Sequence, residues 1–123
     1  MTTIKNEVFY SNKNFYGDLI IPNSVKFIGS SAFSFCYGFN GLLAIYGNID
    51  TIESETFSGC SGFIGILTIP PTVTAIKSYA FKSCVNFSLL QITDTVESIG
   101  AGAFQQCTGL QCTISIPQKI TKI

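Results

Sequence analysis

Cys36, Cys60, Cys84 and Cys107 stand 24, 24 and 23 residues apart, and Cys112 is the fifth cysteine of a 123-residue chain. Cysteine offers thiolate chemistry, as a nucleophile or as a metal ligand. A nucleophilic thiol or hydroxyl needs a base beside it, and the sequence contains no histidine. That removes the Ser-His-Asp and Cys-His devices. Zinc sites favour closely spaced thiols or histidines. No Cys-x-x-Cys occurs, and Cys107 with Cys112 is the closest pair. The expectation is no metal and no cofactor. Stacked repeats would bring thiols close enough for a disulfide, but parallel Cβ directions make its torsion awkward. The four periodic cysteines therefore read as buried small hydrophobes. Cys112 falls where Gly17, Gly41 and Gly65 stand, and is the thiol expected to react most readily.

Paired carboxylates are the other route to acid–base chemistry. Glu53 with Glu55, and Asp50 with Glu97, are the available pairs. Glu53 and Glu55 flank a loop, where solvated charge is the expected role. No glycine-rich phosphate loop is present. We expect no catalytic residue and no enzyme. Asn86-Phe87-Ser88 is a glycosylation sequon, but Phe87 belongs to a core position, which argues against its use.

The elements that carry these residues repeat. Phe9, Phe33, Phe57, Phe81 and Phe104 are separated by 24, 24, 24 and 23 residues. The same rhythm holds for Ile4, Ile28, Ile52, Ile76 and Ile99, for Leu19, Leu43, Leu67 and Leu90, and for Phe15, Phe39, Phe63 and Phe87. One deletion, between Phe87 and Leu90, accounts for the short interval. Such ladders mean a solenoid, in which no single unit can bury its apolar side alone. Each unit begins with a short strand, as in the alternation of Leu43 and Ile45. A turn follows, marked by Pro22-Asn23-Ser24 or Pro70-Pro71-Thr72. A second extended piece leads to Ala-Phe-x-x-Cys, whose spacing suits one helical or 3-10 turn. Asn6, Ser30, Ser54 and Ser78 stand where an N-cap belongs, and Ala101 breaks that pattern. The fold expected is a mainly β solenoid of about five repeats of 23–24 residues. It forms one domain over residues 1–123. Both ends fall mid-repeat without a polar cap, so we expect a longer array or self-association through open ends.

Charge and hydropathy narrow the partner class. Charged residues are 11% of the chain and formal net charge is zero. With no basic stripe, nucleic acid is not an expected partner. The apolar runs are too short to span a bilayer, so no membrane insertion is expected. The N-terminus has no signal-peptide pattern, which leaves a cytoplasmic location open.

The pattern Ile-Pro-x-x-Val-x-x-Ile-Gly-x-x-Ala-Phe-x-x-Cys is nearly complete from Ile21 to Cys36. It resembles the BspA-like, or treponemal-type, leucine-rich repeats, and the resemblance covers the whole chain. Departures are local: Tyr46 and Thr93 replace Pro, Glu53 and Lys77 replace Gly, and Thr56 replaces Ala. The resemblance implies a right-handed coil with a parallel sheet on its concave side. It also implies a surface or secreted location and binding of host or matrix proteins.

Residues alternating with the Leu/Ile ladder point outward from the strands. For a solvent-facing sheet they are unusually apolar, which often marks a partner site. The candidate binding face comprises Ile20, Leu42, Ala44, Tyr46, Ile66, Thr68, Leu89 and Gln91. A non-enzymatic protein-binding or adhesion module is the leading reading. A self-assembling or structural spacer is the alternative. Tyr16, Tyr46 and Tyr79 suggest carbohydrate binding more weakly, because they share no repeat position.

Overall fold

The structure is a computed structural model and describes residues 2–110. Cys112 and the final repeat beyond Leu110, on which expectations were stated above, lie outside the described residues. Among those described, every strand pairing is parallel. The front strands are β2 (Gly17–Ile21), β4 (Phe39–Ile45), β6 (Gly65–Thr68) and β8 (Phe87–Gln91). The back strands are β1 (Thr2–Ile4), β3 (Val25–Ile28), β5 (Thr51–Ile52), β7 (Ala75–Ile76) and β9 (Ser98–Ile99). Alternate residues of a strand face opposite sides, so Leu43, Ile45 and Leu67 turn into one continuous core with Phe57, Phe63, Phe81 and Phe87. The missing residue of the last full repeat is absorbed at the start of β8. There the register steps by one residue after Gly65, against two after Gly17, and the Ser88 hydroxyl donates to the Gly65 carbonyl at 3.2 Å.

The Ala-Phe-x-x-Cys segments form a third row, and here the structure corrects the helical expectation. A 3-10 turn would bond every N–H three residues back. Instead the N–H groups alternate. Those of Ala32, Ser34 and Cys36 bond within the coil, to Gly29, Ser31 and Phe33 carbonyls. Those of Ser31, Phe33 and Phe35 donate to Ser54, Thr56 and Ser58 of the next coil. The alternation requires a left-handed backbone at two places per repeat, as at Ser31 (φ 56°) and Phe35 (φ 59°). The expected N-caps work differently too. Ser30, Ser54 and Ser78 accept from the preceding coil through their carbonyls, and so does Ala101. A carbonyl needs no particular side chain, so Ala101 serves as well as serine. Asn6 reaches forward instead, its Oδ1 accepting the Ser30 N–H at 2.9 Å.

The third row runs unbroken through the described coils, whereas both strand rows divide. On the front, β2 pairs with β4 and β6 with β8, in separate sheets. On the back, β1 pairs with β3, and β5, β7 and β9 form another sheet. The coil carrying β4 and β5 thus leans on its predecessor at the front and on its successor at the back. Its corner is also distinct. The others are closed by hydrogen bonds from Val25 to Pro22, Val73 to Pro70 and Val96 to Thr93, while Tyr46–Ile49 has no such bond.

Candidate functional site

The parting of β4 from β6 opens a groove of about 780 Å³ on the front face. Leu42, Ala44 and Tyr46 form one wall, and Ile66, Thr68 and Pro70 the other. Ile64 N–H still bonds the Gly41 carbonyl at 2.9 Å, which closes one end. At the other end, Tyr46 N–H donates to the Ile21 carbonyl at 2.8 Å, adding a rung between β4 and β2. The equivalent residue one coil on is Pro70, which has no N–H to give to Ile45. The same rung therefore cannot form across the groove.

All eight residues of the predicted face lie in these strands or at the β4 corner. Ile20 stands opposite Ala44, Ile66 opposite Leu89, and Thr68 opposite Gln91. Thr68 Oγ1 and Gln91 Oε1 lie 3.2 Å apart. Ile20, Leu42, Tyr46 and Ile66 are exposed, with Tyr46 at 65%, whereas Ala44 and Leu89 are half-buried. The groove divides this set: Leu42, Ala44, Tyr46, Ile66 and Thr68 line it, and Ile20, Leu89 and Gln91 lie outside it. Its division was not legible from the strand alternation, which treats every coil alike.

No charged side chain lines the groove. Asp18, beside it, accepts the Leu42 N–H at 2.7 Å, so its carboxylate serves the backbone. The other chemical candidates separate. Cys36, Cys60 and Cys84 are buried, and each thiol donates to a carbonyl of the preceding coil: those of Phe9, Phe33 and Phe57 at 3.0, 3.0 and 3.2 Å. Cys107 donates likewise to Phe81 at 3.0 Å. Burial pushes all four thiols up, Cys107 to about 11. Glu53 pairs with Lys77 at 3.9 Å, not with Glu55. Among the described residues, no cluster of His, Cys, Asp or Glu is suited to a metal. No helix there is long and apolar enough to cross a membrane. Asn86 is exposed, but its Nδ2 donates to the Ser61 carbonyl at 2.8 Å.

The repeat is recognisable beyond this chain. The family described as BspA type leucine rich repeat region matches residues 2–123, in six copies. A leucine rich cell surface protein of Faecalibacterium prausnitzii is similar in structure, with a TM-score of 0.79 and 27% identity over 89% of this chain. A leucine-rich repeat protein of Eubacterium ventriosum gives a TM-score of 0.80 and 27% identity over 95% of it. The chain spans 28% and 31% of those two proteins respectively. No curated protein matches it.

Proposed function

The chain belongs to the BspA-type leucine rich repeat family, and on that premise we propose that it is a non-enzymatic protein-recognition module of a surface or secreted protein. One observation carries the reading: four large apolar side chains, Ile20, Leu42, Tyr46 and Ile66, are exposed on the front of the strands. Exposed apolar residues gathered on one face favour association. The partner class is a host or matrix protein, in keeping with a similar protein described as a cell surface protein. The test is surface plasmon resonance of the whole chain over a panel of immobilised matrix proteins. Saturable binding to a panel member is expected, lost in Leu42→Lys and retained in Phe27→Lys, which alters an exposed residue of β3. Absence of binding, or equal loss in both variants, counts against the strand face.

A further inference from the structure

We infer that the coil carrying β4 and β5 is a rocker, tilting about an axis through the turn row and the Tyr46–Ile49 corner. In the tilt the structure holds, β4 pairs with β2 and β5 with β7. In the opposite tilt, β4 pairs with β6 and β5 with β3. The front and back of the solenoid are thereby coupled at this one coil.

The two gaps in pairing flank a single coil on opposite sides. On the front the gap faces the next coil, between β4 and β6; on the back it faces the previous coil, between β3 and β5. The back gap shows in individual bonds. Gly29, Lys77 and Gly100 share one repeat position, and their N–H groups donate to the Ile4, Ile52 and Ile76 carbonyls at 2.7, 2.9 and 2.7 Å. Glu53 holds the same position, and among the described residues its N–H makes no such bond to Ile28. A coil displaced bodily along the solenoid would lose pairing toward the same neighbour on both faces. Loss toward opposite neighbours marks a tilt.

The axis stays bonded. N–H groups of Ser31, Phe33 and Phe35 donate to Ser54, Thr56 and Ser58, and those of Glu55, Phe57 and Gly59 donate to Ser78, Ala80 and Lys82. Buried hydroxyls reinforce the turn row at the junction whose back is parted. Ser34 Oγ donates to the Ser58 carbonyl at 3.3 Å, and Thr56 Oγ1 shares its proton between the Glu53 and Gly29 carbonyls at 2.9 and 3.3 Å. The Phe33–Phe57 and Phe39–Phe63 stacks, at 5.6 and 5.2 Å, and the bond from Ile64 to Gly41 fix the coil spacing beside the turn row. The coil is thus free to rock but not to leave its neighbours, and a rung travels only the difference between a made and a broken hydrogen bond. Leu43, Ile45, Ile49 and Ile52 are buried in one core, which carries the tilt from front to back. One rung separates the two tilts at the corner: Tyr46 N–H donates to Ile21 in the present tilt, and Pro70 has no N–H to give Ile45 in the other.

The test changes the front and reads the back, by amide hydrogen exchange of the isotope-labelled whole chain followed by NMR. In the wild type, the Glu53 amide is expected to exchange roughly tenfold or more faster than those of Lys77 and Gly100, which are bonded. Tyr46→Pro removes the front rung, at a corner position where Pro22 and Pro70 already stand. It is expected to slow exchange at Glu53 roughly fivefold, the worth of about one net hydrogen bond, as β5 closes onto β3. Tyr46→Ala keeps the N–H and is expected to leave Glu53 as it is. General destabilisation would speed exchange at Glu53, so the sign of the change separates the two effects. Equal protection of Glu53, Lys77 and Gly100 in the wild type would overturn the inference, and that comparison needs no variant. Unchanged or faster exchange at Glu53 in Tyr46→Pro, or the same slowing in Tyr46→Ala, would overturn it as well.

Discussion

The Phe57 and Phe81 rings lie 5.4 Å apart between centroids, 9° from parallel, and both side chains are fully buried. The relationship repeats along the chain: Phe33 to Phe57 at 5.6 Å, Phe81 to Phe104 at 5.5 Å, and a second stack from Phe15 through Phe39 and Phe63 to Phe87. Two aromatic columns therefore join the coils through the core, including the coil at which both strand rows divide.

Phe81→Ala removes one ring from the middle of a column and is expected to cost ~3–5 kcal/mol. Phe9→Ala acts on a half-buried ring and is expected to cost roughly half as much. Urea unfolding followed by circular dichroism reads both. An unchanged midpoint in Phe81→Ala contradicts the stacking register.

The thiols predict a pH dependence. Burial raises Cys107 from 9.0 to about 11 and raises Cys36, Cys60 and Cys84 as well. Below pH 9 the thiols are protonated in both states, so this contribution to stability is fully present. As pH rises past 9, the unfolded chain releases these protons while the folded chain holds them, and stability falls. For Cys107 the loss runs through about pH 11. Unfolding midpoints from pH 7 to 10.5 should decline above 9, and the decline should shrink in Cys84→Ala. Native Cys60 and Cys84 should resist a thiol-specific reagent at pH 8, whereas the unfolded chain reacts at once.

Backbone conformation in the turn row makes a third prediction. Glu55 holds φ at 59° on an exposed position whose counterpart is Gly102 (φ 67°). A left-handed residue with a Cβ costs about 1–2 kcal/mol, partly offset by the entropy glycine loses on folding. Glu55→Gly is therefore expected to stabilise by ~0.5–1 kcal/mol. Gly59→Ala goes the other way, by ~1–3 kcal/mol, because φ is 76° and the new Cβ would lie 2.5 Å from the Phe35 ring. Thermal melts of the pair should shift in opposite directions.

What the sequence disclosed follows from what repeats. The Phe9–Phe104 ladder and the Leu43/Ile45 alternation depend on burial, which every coil satisfies in the same way, so period and inward face were readable. The turn row reads as helical in the sequence because Ala32, Phe33 and Cys36 have the spacing of a helical turn. Their inward positions are equally met by a backbone that sends every second N–H to the next coil, and that choice depends on the neighbouring coil. The groove was hidden for a related reason. It lies at one junction between coils, β4 against β6, and a ladder averages such differences away.

Whether the strand face is free for a partner is tested most directly by light scattering after size exclusion, across a concentration series with reductant present. We predict a mass and a concentration dependence that are the same in the wild type and in Leu42→Lys. Growth into larger species that Leu42→Lys abolishes would contradict the account, because the face would then be the surface through which copies of the chain join.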